Sequence, residues 1–522
     1  MIATVVVLLL ILGIAAFLFP RTGFAPDSTV PPGAHLRVAF APDIRGLDPH
    51  AHGCTVTESV LVNIYDYLIW RTPEGGLEPA LATDWEIIDD RTWRLSLRPD
   101  VRWHDGETFD ASDVIFTLAR LAGVGCDVVT PHYPHFRDIE AVEAIDDLTL
   151  DITTRQPDPS LPYRLSRSGA AMLPAHVEPD IASAPGNPSP QEGFVGTGPY
   201  RVAEWSPGGE LRLEAFPEHW RGPAAVTHLT FEVVPEARNR AEALLGGKVD
   251  VATNLGDTDW RRIFESESLR LLRRVGPQVV TLGVRHEPEY ATSDPRIREA
   301  IELSVDNQYL VDQIMAGAAT PTRTHVTPAS PGSHPDLYNT YLFDPEASRA
   351  LLREAGYDAD DRPTITLLAP EDRYPGLAEL AVAVSEMIDE VGIGVQLDFK
   401  PWPEYLALLD SGNHPALTLR IDCGCLGDPI FSFEPFWNDE KYRNPFGFED
   451  PNFEAELERA RRETRGDARR RYLHSLAESL AESRPQIPLV HLLSTYGVHR
   501  GVDWSPRPDE LLWMWPAVKG QQ

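Results

Sequence analysis

LEPALATDWEIIDDRTWRLSLRPDVRWHDGETFDASDVIFTLARL, residues Leu77 to Leu121, is the most organised stretch of the chain. Trp85 and Ile87 alternate with polar neighbours, Asp89-Asp90-Arg91 is a turn, and Trp93, Leu95 and Leu97 alternate again, as in an antiparallel hairpin with one buried face. A second turn, Arg98-Pro99-Asp100, leads to a bend at His104-Asp105-Gly106. Asp110 then occupies an N-cap position, ahead of Val114 with Leu118 and Ile115 with Ala119 at i, i+4 spacing. The stretch is expected to form strand, strand, loop and capped helix, and strands between Ile139 and Thr154 are expected to complete a small sheet.

Around it lie 522 residues, enough for two or three domains. A formal net charge of −32 argues against a nucleic-acid partner, since a phosphate backbone would be repelled. Ile2 to Phe19 is an uncharged, mostly apolar run ending at Pro20, suited to a signal-peptide core and marginal for a membrane span. The body of the protein is therefore expected to be exported. It is either periplasmic or held by an uncleaved N-terminal helix, with 27–33 as a tether. No Gly-x-Ser-x-Gly elbow or Ser-x-x-Lys is present, and His286-Glu287 lacks the second histidine of a zinc protease motif. An enzyme is not expected, and no cofactor is implied.

The order Leu81, Ala82, Trp85, then Leu97, Arg98, Val101, Trp103, His104, Asp105, Gly106, then Ala111, Asp113, Val114 closely resembles the signature of the family 5 extracellular solute-binding proteins, the peptide and nickel receptors of ABC importers. Further matches are Leu47-Asp48-Pro49-His50, Gly196-Thr197-Gly198-Pro199-Tyr200, Gly247-Lys248-Val249-Asp250, Arg296 with Arg298 and Asp306, and Leu351 to Tyr357. The resemblance implies an α/β, two-lobed periplasmic-binding-protein fold (class II-like) with an extra inserted α+β domain. The expected boundaries are 34–70, 195–277 and 487–522 for a discontinuous domain I, 71–194 for the inserted domain II, and 278–486 for domain III. It also implies a monomer that closes on a small solute by hinge motion and delivers it to a membrane permease. The stretch Leu77 to Leu121 is expected to be the scaffold of domain II and to touch no ligand in members with smaller substrates.

In the family the ligand lies between domains I and III, which makes Asp257 and Trp260 cleft candidates. The competing reading is a solvated helix start for Asp257 and a packed aromatic for Trp260. Peptide-binding relatives read approximately W-x-a-D-y-x-D-P where this chain has Arg420-Ile421-Asp422-Cys423-Gly424-Cys425-Leu426-Gly427-Asp428-Pro429. Anchoring on Asp428 puts Cys425 where the ammonium-pairing aspartate belongs, and a thiol supplies no fixed carboxylate charge. Asp422 is the nearby substitute. Arg285 and Arg420 are candidate anion contacts, because guanidinium grips carboxylate in a bidentate fork. Phe431, Phe433, Phe436 and Trp437 are either an apolar pocket or plain core.

Four cysteines in an exported protein point to disulfides. Cys54 with Cys126 is favoured, and then Cys423 with Cys425. The alternatives are a redox or metal role for Cys423 and Cys425, or free thiols. His50, His52 and Cys54 also have the donor types of a soft-metal site. The ligand is expected to be a peptide or similar small solute, with a nickel-type metal chelate, or a sensor or chaperone role on the same fold, as alternatives.

Overall fold

The computed structural model describes residues 34–124, 130–167, 169–177, 194–358, 360–371, 376–423, 427–436 and 444–520. The side chains of Asp257 and Cys423 are not described, and the apolar run Ile2–Phe19, Cys126, Cys425 and Trp437 lie outside the described residues.

The opening stretch folds as its pattern demands. Strands Ala82–Ile87 and Thr92–Leu97 pair antiparallel, and with Thr149–Thr154 and Ile139–Asp146 they complete a four-stranded sheet. Asp110 caps the helix Ala111–Ala122 by accepting from Ser112 N at 2.7 Å. The Asp113 carboxylate returns the bond from Asp110 N at 3.1 Å, closing a capping box. The same Asp113 oxygen accepts from the buried Trp103 indole at 3.1 Å, so the motif's aromatic and its acid hold one another. Ile87, expected on the buried face, is 42% exposed, because the hairpin tip runs past the core.

A second sheet of eleven strands carries most of the rest, beside two small ribbons, Ile69–Arg71 with Leu77–Pro79 and Val502–Asp503 with Val518–Lys519. Its path runs Gly394–Lys400, Thr364–Pro370, Leu417–Cys423, Leu269–Val284, Gln486–His499, Val251–Thr253, His35–Phe40, His228–Val233, Glu210–Ala215, Tyr200–Trp205, with Ala319–Pro321 added to Gln486–His499. Helices Pro295–Ser304 and Leu377–Glu390 pack on the first half of that path, around a core containing Val280, Leu282, Leu367, Leu380, Leu419 and Leu489. The other half shares one continuous core with the four-stranded sheet, in which Leu36, Tyr200 and Phe231 meet Leu95, Trp103 and Ile152. The Gly196-Thr197-Gly198 segment lets these parts approach: a Cβ on Gly196 would lie 1.9 Å from the Ile64 carbonyl oxygen.

Leu269–Val284 is one continuous strand, and so is Gln486–His499. Glu454 to Glu482 lies in two helices, Pro451–Arg462 and Gly466–Ser483. Their inner faces bury Phe453, Leu457, Leu473 and Leu476 in a core with Phe431, Phe433, Phe436 and Phe446. Of the two readings of Phe431, Phe433 and Phe436, a pocket or plain core, the fold takes the second.

Candidate functional site

Leu269–Val284 and Gln486–His499 are the segments that run through both halves of the large sheet. Their antiparallel ladder is regular from Leu269 opposite His499 to Val275 opposite Leu493, and resumes at Val279 opposite His491. Gly276 and Pro277 occupy the gap, and a second shift falls between Val280 and Thr281. Pro277 has no N–H to contribute, and in the gap none is required. Beside this break, polar side chains collect on both sides.

On the side of the third region, Leu417, Leu419 and Ile421 turn into the helical core, which leaves Thr418, Arg420 and Asp422 on the opposite face of their strand. Asp422 accepts from Thr281 Oγ1 at 2.8 Å and from Arg420 Nε and Nη2 at 3.3 and 3.2 Å. Burial pushes the Asp422 carboxyl up, but Arg420, His325 and the Thr281 hydroxyl outweigh it and hold the group below the usual carboxylate range. His491 lies on the same row, across Val279 from Asp422. It is fully buried and neither ring nitrogen makes a hydrogen bond of good geometry, the Thr324 backbone giving only a weak one, and Tyr338 packs on it at 5.5 Å between centroids. Burial, reinforced by His325, pushes His491 down to about 3, so its imidazole is neutral. His325 Nε2 is likewise buried without a hydrogen bond of good geometry.

On the other side, a recess of about 30 Å³ opens between Phe40, Thr55, Ser59, Asn254, Tyr496 and Glu510. The Ser494 hydroxyl donates to Glu510, whose carboxyl burial pushes up from its ordinary value. Glu510 also touches the break: a Cβ on Gly276 would stand 3.1 Å from its Oε1 and 2.7 Å from Ser494 Oγ.

Of the described residues singled out in the sequence, the structure brings Arg420 and Asp422 together and holds Arg285, Trp260 and Asp428 in other contacts. Arg285, expected to contact an anion, is clamped to Glu287 by bonds of 2.9 and 2.5 Å and donates to the Gly412 carbonyl at 2.8 Å. Trp260 is 8% exposed, donates to the Leu255 carbonyl at 2.9 Å and carries the Arg273 guanidinium 4.4 Å over its ring, as the packed-aromatic alternative expected. Asp257 begins the helix Asp257–Phe264. Asp428 is fully buried, pairs with Arg469 at 2.5 Å and accepts from Ser160 Oγ at 2.9 Å.

Ser160 belongs to 71–194, the stretch expected to be the insert, so Asp428 serves a seam between that stretch and the strands and helices that follow Val279. Arg164 and Arg167 extend the seam, lying 5.4 and 5.8 Å over the Phe431 ring. Cys54 is a free, half-buried thiol. Cys126, its expected partner, lies outside the described residues, as do Cys425 and the side chain of Cys423. His50 is committed to the Ala171 carbonyl at 2.9 Å and to Arg120 at 3.0 Å, which leaves it no nitrogen for a metal shared with His52 and Cys54. His325, His491 and Glu510 were missed. Only His491 left a trace, as a lone imidazole inside the apolar run Ile487-Pro488-Leu489-Val490-His491-Leu492-Leu493.

Residues 76–444 match the family described as bacterial extracellular solute-binding proteins, family 5, middle part. The dipeptide-binding protein of Escherichia coli K12 is 24% identical over 396 residues, 72% of this chain and 73% of that one. The glutathione-binding protein of the same strain is 28% identical over 357 residues, 67% of this chain, so that the chain spans 65% of that relative's length. Among solved structures, HbpA2 from Haemophilus parasuis superposes with a TM-score of 0.81 at 21% identity, covering 93% of this chain and all of that one, 100%. NikZ from Campylobacter jejuni in complex with Ni(L-His) gives 0.74 at 20%, covering 94% and 100%.

Proposed function

We propose, from the premise that this chain belongs to the family 5 bacterial extracellular solute-binding proteins, that it is the receptor of an ABC importer for a short peptide or similarly sized solute. The solute enters between the two halves of the large sheet, and the closed form is handed to a membrane permease. The observation that carries this reading is the interrupted ladder at Gly276-Pro277, with Arg420, Asp422 and His491 on one side of it and Glu510, Tyr496 and Asn254 on the other. A two-stranded crossing with a gap in its hydrogen bonding supplies a hinge. Polar groups that converge on it supply the differential contacts through which a ligand favours the closed state. The dipeptide- and glutathione-binding relatives suggest the ligand class.

On this reading 34–70, 195–277 and 487–522 form domain I, 71–194 the insert, and 278–486 domain III. The protein is an exported, periplasmic monomer whose residues bind and orient a solute without transforming it. Asp422, with its charge already shared by Arg420 and Thr281, offers a polar acceptor to the solute, and Arg420 a donor. Native mass spectrometry of the purified chain tests the assignment: a retained peptide-sized mass is expected, with a smaller radius of gyration in X-ray scattering when it is present. A confirmed ligand that leaves the radius unchanged would sink the hinge reading.

His491 favours a second reading, in which the cargo is a metal chelate. A chelate brings most of its own donors, so one neutral imidazole whose nitrogens make no hydrogen bond of good geometry completes its coordination. The mass-spectrometric measurement repeated after a strong chelator decides between the two: loss of the retained mass supports the chelate, and an unchanged mass supports the peptide.

A further inference from the structure

The outward stripe of the helix Leu377–Glu390 is unlike an ordinary solvated face. Glu379, Val382, Glu386 and Glu390 follow one another at helical spacing, with Ala383 and Met387 at the margin of the core that Leu377, Leu380, Val384 and Ile388 fill from the opposite side. The stripe walls a groove of about 530 Å³ whose other wall is Asp306, Tyr309, Ile314, Phe343 and Pro345. Its apolar groups stay open to water: Tyr309 and Phe343 are each 46% exposed and Val382 is 39% exposed. Its rim is acidic, with Asp306, Glu379, Glu386 and Glu390 facing one concavity. Two described cations lie beside this helix without pairing with a rim carboxylate: Arg349 pairs with Glu346 and donates to the Glu390 backbone carbonyl at 3.4 Å, and Arg362 pairs with Asp389.

We propose that this groove is a docking site for a partner protein that inserts one large apolar side chain between flanking lysines or arginines. Given the receptor reading above, on which this identification of the partner rests, that segment belongs to an extracytoplasmic loop of the permease. Charge complementarity selects the occupant. A second copy of this chain would bring more negative charge to a negative rim, whereas a basic segment neutralises the rim while its apolar residue covers Tyr309, Phe343 and Val382. The groove lies on the side of Leu377–Glu390 turned away from the sheet, so occupying it leaves the row of Arg420, Asp422 and His491 untouched.

The test uses the full chain and a fluorescent twelve-residue helical peptide with a central leucine flanked by four arginines. Binding is measured by anisotropy, with native mass spectrometry of the retained solute in parallel. Glu379→Lys with Glu386→Lys is expected to weaken peptide binding about tenfold or more. A control reversal on the four-stranded sheet, Glu86→Lys with Glu143→Lys, is expected to change it less than about twofold. Phe343→Ser is expected to weaken binding without the salt dependence of the charge reversal. Equal losses in groove and control variants would overturn the proposal, because they mean attraction to net charge alone. So would a concentration-dependent doubling of mass that Glu379→Lys with Glu386→Lys abolishes, because it means a second copy. Solute retention separates the two readings: a chain that binds the peptide through the groove but retains no solute keeps the docking site and loses the receptor.

Discussion

His491 is the residue with the largest gap between its surroundings and its chemistry. A buried imidazole whose two nitrogens make no hydrogen bond of good geometry forgoes the bonds it would make in water, a cost of about 1–3 kcal/mol for each unsatisfied group. It also titrates against the fold. Its pKa falls from the ordinary 6.5 to about 3 in the folded chain, so the unfolded state binds the proton more tightly. The stability tied to its neutral form is complete above about pH 6.5 and is lost as pH falls towards 3. His491→Leu, apolar and of similar volume, is expected to raise stability at pH 7 by about 1 kcal/mol and to flatten the acid side of the stability profile. Urea unfolding from pH 4 to 7 measures both. The same variant is expected to lose a retained metal chelate but not a retained peptide. Little of this was legible beforehand. Asp422 stood out because it lies beside the position of the family's ammonium-pairing aspartate, but Arg285 and Arg420 look alike in sequence. Each pairs with an acid two residues on, Glu287 or Asp422, and what separates them is that Arg285 also donates to the Gly412 and His414 carbonyls, a matter of three-dimensional geometry.

Elements whose instructions are local were the readable ones. Asp110 caps the helix expected to follow it, and Asp294, Asp306 and Asp344 cap theirs in the same way, because a cap is decided within four residues. The strand Leu269–Val284 was unreadable for the opposite reason. Arg270, Arg273 and Arg274 break its apolar alternation, and Gly276-Pro277 spells a chain break in any local code. In the fold that dipeptide falls in the gap of the ladder to Gln486–His499, while Gln278 already pairs with Cys423 on the other side. The glycine is needed because Ser494 and Glu510 crowd it. Gly276→Ala places a methyl 2.7 Å from Ser494 Oγ and is expected to cost about 1–3 kcal/mol. It is also expected to slow opening and closing. Thermal unfolding reads the first effect and stopped-flow fluorescence with a confirmed ligand reads the second. A variant as stable and as fast as the parent would show that the crowding relaxes freely.

At the scale of the whole molecule, the inserted stretch does more than support. Through Ser160 it joins Asp428 and Arg469, which donates to Ser160 Oγ at 3.0 Å, and through Arg164 and Arg167 it covers Phe431. These contacts lie across the seam that hinge motion would open. Asp428→Asn strands the buried Arg469 guanidinium and is expected to cost about 3 kcal/mol in urea unfolding. It is also expected to enlarge the ligand-free radius of gyration and to weaken ligand binding in proportion to the closed fraction lost. A variant destabilised without any change in that radius would confine the cluster to local packing. The two strands that join the halves of the large sheet, described above as a hinge, are also a ribbon. Hydrogen bonds lie in the plane of such a ribbon, so it resists sliding of one strand past the other and yields to bending across its width. Passing through an interrupted stretch of that ribbon, the relative motion of the two halves has in effect one soft coordinate. A solute is therefore gauged by the angle at which it stops the swing, and its length is converted into a single number that any membrane partner touching both halves can read.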